Sequence, residues 1–131
     1  MSGAHVVVVE DDPMSQRLMG DLLEATGYQV TVFADAESGV AAMRAAPPDL
    51  VLMDIRLPGM DGFAALTALR ADAVTRDVPI IAVTASVMLG EREKIMQAGF
   101  TSYHPKPIQI SQLLKEIELT LSNSSAQKSQ T

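Results

Sequence analysis

The chain has 131 residues, a formal net charge of −6 at pH 7 and 47% hydrophobic residues. This length fits one domain with an apolar core, and the absence of cysteine excludes disulfide bonds, thiolate zinc sites and thiol nucleophiles. The acidic balance argues against a nucleic-acid-binding surface. The longest apolar run near the N-terminus, Val6 to Val9, is too short for a membrane span or a signal peptide. We therefore expect a cytoplasmic protein that binds neither nucleic acid nor membrane.

Short apolar runs alternate along the chain with longer amphipathic segments. The runs are rich in β-branched residues or bounded by Gly, Pro or acidic residues, which is typical of strands. Because they are apolar with little alternation, they indicate strands covered on both faces, as in parallel sheets. The five predicted strands are Val6–Val9, Val30–Phe33, Leu50–Met53, Ile80–Val83 and a weaker one at Phe100–Tyr103.

A segment with helical periodicity follows each predicted strand. In the first, Met14, Leu18, Leu22 and Ala25 form an apolar stripe that stops at Gly27. The next three helices are predicted around Ala36, Val40 and Met43 behind an Asp35 cap, around Phe63, Leu66 and Leu69, and from Ser86 to Ala98 before Gly99. The clearest stripe is the last, formed by Ile110, Leu113, Leu114, Ile117 and Leu121.

This alternation predicts an α/β fold with a doubly wound, five-stranded parallel sheet of the (βα)5, flavodoxin-like type. Right-handed crossovers leave few topologies, and strand order 2-1-3-4-5 is the commonest at this size. We expect the domain to occupy residues 1–121. The remaining residues, 122–131, are polar and lack an apolar period, so we expect a flexible tail.

Chemically active residues follow the predicted strands at their carboxyl ends. In open α/β sheets, ligands bind where the strand order reverses, here between strands 1 and 3. The residues at this edge are Glu10, Asp11 and Asp12 after strand 1, Asp54 after strand 3, Thr84 after strand 4 and Lys106 after strand 5. The sequence therefore predicts an acidic crevice with a hydroxyl and a cation beside it.

Such a crevice favours a hard cation. Two carboxylates about 4 Å apart repel by roughly 4 kcal/mol at an effective dielectric constant near 20, so the cluster raises a pKa or recruits a cation. Oxygen ligands without histidine or cysteine favour Mg²⁺ over Zn²⁺. The loop after strand 1 has no glycine, which argues against a nucleotide-binding P-loop or dinucleotide fingerprint. We expect a site for Mg²⁺ and a phosphoryl group.

Four stretches of the chain, in order, resemble the receiver domains of bacterial response regulators. They are V-V-V-V-E-D-D-P, L-V-L-M-D-I-R-L-P-G-M-D-G, P-I-I-A-V-T-A and S-Y-H-P-K-P-I, and the resemblance covers about residues 4–121. The segment T-A-S-V-M-L-G-E, with Q-A-G-F after it, is similar to single-domain regulators of the DivK type and to receivers of hybrid kinases. We expect the single-domain, DivK-like type, and a receiver domain from a hybrid kinase stays open as the alternative.

The resemblance implies that Asp54 is the nucleophile that takes the phosphoryl group, aided by the Thr84 hydroxyl and by the Lys106 ammonium, which pairs with Asp54. It implies Mg²⁺ ligands from Asp11, Asp54 and the backbone carbonyl of Arg56, with Glu10 acting through a metal-bound water.

Three further features are expected: the roles of the consecutive acids, a switch residue and a cis peptide bond. Of the three consecutive acids, the functional pair is Glu10 and Asp11, and Asp12 before Pro13 is expected to cap the first helix. Tyr103 matches the family's switch aromatic. The Lys106–Pro107 bond is expected to be cis.

The resemblance implies a cytoplasmic phosphorelay switch. A histidine kinase or histidine phosphotransferase donates the phosphoryl group, a downstream protein reads the surface of helix 4, strand 5 and helix 5, and the protein is a monomer or weak dimer. It is expected to catalyse its own phosphorylation and dephosphorylation and no other reaction. Three alternatives compete with this interpretation: a haloacid-dehalogenase-type phosphohydrolase, which needs an aspartate where Arg56 stands, a receiver that is never phosphorylated, and a phosphate sink without switched output.

Overall fold

Five strands alternate with five helices in the protein, whose structure is a computed structural model that describes residues 3–85 and 91–129. The strands are β1 (His5–Val9), β2 (Gln29–Phe33), β3 (Leu50–Asp54), β4 (Ile80–Thr84) and β5 (Ser102–Pro105). The helices are α1 (Pro13–Ala25), α2 (Ala36–Ala45), α3 (Gly62–Ala71), α4 (Glu91–Ala98) and α5 (Ile110–Ser129). The helix predicted from Ser86 is confirmed from Glu91 onwards, and residues 86–90 lie outside the described part.

The strands form one parallel sheet in the order β2-β1-β3-β4-β5, as predicted. The central pairing aligns Val9, the last residue of β1, with Met53, the residue before the end of β3. Asp54, the last residue of β3, pairs in turn with Val83 of β4. Asp54 and the residues that follow β1 are therefore delivered to one crevice.

The sheet separates two apolar clusters. Alternate side chains of β1 and β3 point to opposite faces, so that Val7 and Met53 join one cluster while Val8 and Leu52 join the other. The first cluster contains residues of α2, α3 and α4, and the second contains residues of α1 and α5. The described residues contain no helix that is both long enough and apolar enough to cross a membrane.

The helix boundaries follow local sequence signals. The side chains of Asp12, Asp35 and Asp61 each accept a backbone N–H three residues ahead, at 2.9, 2.7 and 2.9 Å, and begin α1, α2 and α3. Gly27 and Gly99 end α1 and α4 with φ of 104° and 115°, a region that favours glycine. The predicted caps at Asp12 and Asp35 and both predicted glycine stops are confirmed.

Strand β5 lies two residues further along the chain than predicted. The apolar run starting at Phe100 marks a buried side chain, but the sheet pairing begins at Ser102, opposite Ile81. Just before the strand begins, the hydroxyl of Thr101 accepts a hydrogen bond from the backbone N–H of Ile80 at 3.0 Å. The apolar run from Phe100 therefore predicted which side chain is buried, but not where β5 begins to pair with β4.

Helix α1 buries a different face from the predicted stripe. Met19 and Leu23 are buried, whereas Met14 is 82% exposed and Leu18 is 51% exposed. The helix carries two apolar stripes one residue apart, and packing on the sheet selects the one that contains Met19 and Leu23. The stripe predicted from the sequence was therefore wrong for this helix.

Strand β2 is also less covered than its apolar run predicted. It is one of the two edge strands of the sheet, beside β1 only, and Val32 is 37% exposed. Coverage on both faces holds for β3 and β4, whose residues are all buried.

Helix α5 continues to Ser129, past Leu121, where its apolar stripe ends. The backbone of 122–129 is thus helical. The domain boundary at residue 121 and the flexibility of the tail stay predictions.

Candidate functional site

Three carboxylates meet at the carboxyl end of the sheet. One oxygen from each of Glu10, Asp11 and Asp54 lies within 4.8 Å of the other two. Glu10 and Asp54 are buried and Asp11 is exposed, so the cluster has a closed inner side and an outer side open to solvent. The topology argument from the sequence is confirmed for these three residues.

The Lys106 ammonium lies between two of these carboxylates. Its Nζ is 2.6 Å from Glu10 Oε1 and 3.2 Å from Asp54 Oδ2. The resemblance implied the contact with Asp54, but not the shorter contact with Glu10. The side chain of Glu10 is fully buried, and Lys106 supplies the positive charge that such burial requires.

The pKa values in the cleft reflect burial and shared charge. Burial raises the pKa of the Glu10 carboxyl, and the hydrogen bond from Lys106 offsets part of that rise. Burial alone would lower the pKa of the Lys106 ammonium, but its contacts with Glu10 and Asp54 outweigh burial and raise the pKa. The lysine therefore stays charged at neutral pH.

Asp12 stands apart from the carboxylate cluster. Its Oδ2 accepts hydrogen bonds from the backbone N–H and the hydroxyl of Ser15, both at 2.9 Å, and these bonds lower the pKa of Asp12. Its own backbone N–H donates to Glu10 Oε2 at 3.1 Å. Asp12 is thus the cap that the sequence predicted, and it leaves Glu10 and Asp11 as the acidic pair.

Helix α1 also holds the start of this loop. The side-chain amide of Gln16 donates to the backbone carbonyl of Glu10 at 2.6 Å. The sequence reasoning missed this contact, because a polar residue on the first turn of a helix is ordinarily just solvated. The position of Gln16, one turn after the cap, was the available signal.

Thr84 and Lys106 enter the site together. Thr84 ends β4 and is fully buried, and its backbone carbonyl accepts the N–H of Lys106 at 2.8 Å. The Lys106–Pro107 bond is cis, as the resemblance implied. The hydroxyl and the ammonium that the sequence placed at this edge are therefore carried by adjoining backbone.

Arg56 contacts Asp54 through its backbone. Its N–H donates to Asp54 Oδ1 at 3.0 Å, while its guanidinium Nη2 lies 3.5 Å from Glu91 Oε1. Arg56 occupies the position, two residues after Asp54, where a haloacid-dehalogenase-type phosphohydrolase needs a second aspartate.

Tyr103 lies outside the cleft, on β5. It is half-buried against the apolar cluster that contains α3 and α4 residues, and the Arg92 guanidinium carbon is 5.4 Å from its ring centre. The ring therefore borders the surface that the resemblance assigned to output.

The other face of β5 carries a polar contact that the sequence did not predict. Ser102 and His104 both bind the carboxylate of Glu116 on α5. His104 is buried, and its ring nitrogen Nε2 is held by Glu116. The spacing of Ser102 and His104, two residues apart on one strand face, was the only local signal.

The donor set fits a magnesium ion. All the side-chain ligands in the cluster are carboxylate oxygens, and the exposed Asp11 leaves room for water and phosphoryl oxygens on the outer side. In the described part of the chain, no histidine belongs to this group. The residues that could hold the ion are Glu10, Asp11 and Asp54, of which Glu10 is already paired with Lys106.

The fold and this cleft define a parallel α/β protein with three clustered carboxylates and a lysine at its topological switch point. The family model of the response regulator receiver domain matches residues 6–118. The chain belongs to this family, whose members work in two-component signalling with histidine kinases or phosphotransfer proteins and downstream targets.

Several bacterial proteins resemble the chain over most of its length. The polar-differentiation response regulator DivK of Brucella ovis is 37% identical over 113 residues, which span 86% of this chain and 92% of that protein. The receiver domain of a sensor histidine kinase from Pseudomonas aeruginosa, solved with magnesium in its active-site cleft, is 36% identical with a TM-score of 0.86 and covers 92% of this chain and 99% of that domain. A chemotaxis protein of Vibrio cholerae is 25% identical with a TM-score of 0.84, over 91% of this chain and 99% of that one.

Proposed function

We propose that Asp54 accepts a phosphoryl group from a phosphohistidine donor in a Mg²⁺-dependent reaction and that the protein is thereby a signalling switch. The observation that carries this proposal is the buried Asp54 carboxylate, with Asp11 and Glu10 within 4.8 Å and the Lys106 ammonium 3.2 Å away. The receiver family, and the magnesium in the cleft of the Pseudomonas relative, support it.

The chemistry is an in-line displacement at phosphorus. A carboxylate oxygen of Asp54 forms the new P–O bond while the P–N bond to the donor imidazole breaks, and the imidazole keeps that electron pair and takes up a proton. Mg²⁺ held by Asp11 and Asp54, with the Arg56 carbonyl as a further ligand, would supply positive charge for the phosphoryl oxygens. Hydrolysis of the acyl phosphate returns Asp54 to its starting state, so the protein carries out both half-reactions on itself.

The chain's own residues stabilise the charge that develops. Lys106 already shares its ammonium between Glu10 and Asp54, so it is positioned before the reaction rather than recruited during it. The Thr84 hydroxyl, at the end of β4, would donate to a phosphoryl oxygen. Because Thr84 and Lys106 are joined through their backbones, both would respond to the same new charge.

The output surface would be formed by α4, β5 and α5. Tyr103 borders this surface and would turn inward as Thr84 moves toward the phosphoryl group. The partners would be a histidine kinase or phosphotransferase on the donor side and a downstream protein on the output side. Relatives include both a response regulator and the receiver of a sensor kinase, and either setting uses the same chemistry.

Incubation with acetyl phosphate and Mg²⁺ tests this function. Intact-mass spectrometry is expected to show one added phosphoryl group on the wild type, and none on Asp54→Asn or when the metal is chelated. A phosphoryl group on Asp54→Asn, or equal labelling without metal, would overturn the proposal.

A further inference from the structure

An ion pair joins the acceptor loop to helix α4. Arg56 follows Asp54 by two residues, and its backbone N–H donates to Asp54 Oδ1 at 3.0 Å. Its guanidinium Nη2 lies 3.5 Å from Oε1 of Glu91, the first described residue of α4. Arg56 therefore contacts both the acceptor carboxylate and a helix of the proposed output surface.

The two partners of this ion pair differ in their freedom to move. The Arg56 side chain is 58% exposed, whereas that of Glu91 is 18% exposed. Exposed ion pairs contribute little stability, because solvent screens them and long side chains lose rotamer freedom. The guanidinium can therefore leave Glu91 at small cost.

The surroundings favour Arg56 as the cation that moves. An open cavity of about 500 Å³ lies between the acceptor loop and α4, and its lining includes Arg56, Glu91 and Lys94. The Lys94 ammonium lies over the Phe63 ring, 5.1 Å from its centre. Of the two cationic side chains in this lining, we favour Arg56, because its backbone N–H already donates a hydrogen bond to Asp54.

We propose that Arg56 exchanges Glu91 for the phosphoryl group when Asp54 is phosphorylated, and that α4 thereby loses its contact with the acceptor loop at Glu91. The inference rests on the proposed function, with Asp54 as the acceptor. A phosphoryl group carries close to two negative charges and three strong acceptor oxygens, against one charge on Glu91. The planar guanidinium binds phosphate in a bidentate manner, which the single contact with Glu91 does not offer.

Beryllofluoride, a stable mimic of the phosphoryl group, tests the exchange when it is titrated with Mg²⁺ and followed by NMR of backbone amides. Glu91→Gln removes the competitor and is expected to tighten beryllofluoride binding about two- to fivefold, the range expected from loss of an exposed ion pair. In the Arg56→Ala background the same change is expected to have no effect. The matched control is Glu93→Gln, which removes the same charge two residues further along α4 and is expected to leave the affinity unchanged.

Three outcomes would overturn the exchange: no effect of Glu91→Gln, an equal effect of Glu93→Gln, or an effect of Glu91→Gln that persists in the Arg56→Ala background. Failure of the wild type to bind beryllofluoride is a different result, because it would remove Asp54 as the acceptor and contradict the proposed function itself.

Discussion

At the scale of single residues, three consecutive acids have different tasks. Glu10 is buried and paired with Lys106, Asp11 faces solvent beside Asp54, and Asp12 caps α1. The sequence predicted this division, because an aspartate before a proline is a local helix-start signal. It did not predict that Lys106 lies closer to Glu10 than to Asp54, since that contact joins opposite ends of the chain.

Substituting the two neighbouring aspartates separates metal binding from capping. We expect Asp11→Ala to abolish Mg²⁺ binding and phosphorylation, because it removes a ligand from the cluster. Asp12→Ala is expected to keep both and to lower the Tm by a few degrees, because the Ser15 N–H loses its acceptor. Metal titration and thermal unfolding measure the two effects. Loss of Mg²⁺ binding in Asp12→Ala alone would show that the acidic pair is assigned one residue too early.

At the scale of secondary-structure elements, local sequence signals predicted where helices begin and end. Contacts between elements that are distant in the chain could not be predicted from these signals. The caps at Asp12 and Asp35 need only neighbouring residues, so the sequence sufficed. The register of β5 depends on pairing with β4 and on the contact between His104 and Glu116, which no local pattern encodes. For α1, two apolar stripes were available and only packing on the sheet distinguishes them.

Gly62 illustrates a constraint at the junction of β3 and α3 that composition does not reveal. A Cβ added there would lie 2.7 Å from Ile55 Cα and 2.9 Å from the backbone carbonyl oxygen of Asp54, and backbone cannot move aside cheaply. We expect Gly62→Ala to lower the free energy of unfolding by about 1–3 kcal/mol and to slow phosphorylation by displacing Asp54. Chemical denaturation and a phosphorylation time course measure both effects.

Gly20 provides the matched control inside helix α1. The nearest atom to an added Cβ is Val32 Cγ2, at 3.9 Å, which is ordinary contact. Gly20→Ala is expected to raise the stability by up to about 1 kcal/mol, because alanine favours the helix. Destabilisation by Gly20→Ala equal to that by Gly62→Ala would show that close backbone approach is not the cause.

The cap of α2 makes a contribution to stability that depends on pH. Hydrogen bonds from Ser38 lower the pKa of Asp35 in the folded protein. Its contribution is therefore present above the unfolded-state pKa of about 3.9 and is lost as the pH falls toward the lower folded value. The Asp35→Asn variant keeps a capping oxygen that does not titrate, so we expect its stability to fall less than that of the wild type between neutral pH and pH 3. Wild-type and variant stabilities that fall in parallel over this range would contradict the assignment.

At the scale of the whole molecule, the fold brings distant parts of the chain to one edge of the sheet. Asp54, Thr84 and Lys106 come from three separate strand ends, and the strand order derived from the alternation of apolar runs and helical segments was enough to predict that they meet. The resemblance to receivers then assigned their roles. Side-chain partners such as Glu91 for Arg56 required the structure.

We expect the Lys106 ammonium to couple the cleft to β5. Lys106→Ala is expected to remain phosphorylatable but to lose the response of β5, because the pull of the new charge on the adjoining Thr84 segment is removed. The α4 response, which we assign to Arg56, is expected to persist in this variant. The measurement is the change in NMR shifts of α4 and β5 on adding beryllofluoride. Equal changes of β5 in wild type and Lys106→Ala would show that another residue couples this strand. If the wild type shows no change in either element, the protein is a phosphate sink rather than a switch.

Locating the phosphoryl group on the wild-type chain tests directly whether Asp54 is the acceptor. After phosphorylation with Mg²⁺ and a phosphohistidine donor, fragmentation mass spectrometry is expected to place a single base-labile phosphoryl group on Asp54. A label on His5, His104 or Thr84 instead would contradict the account.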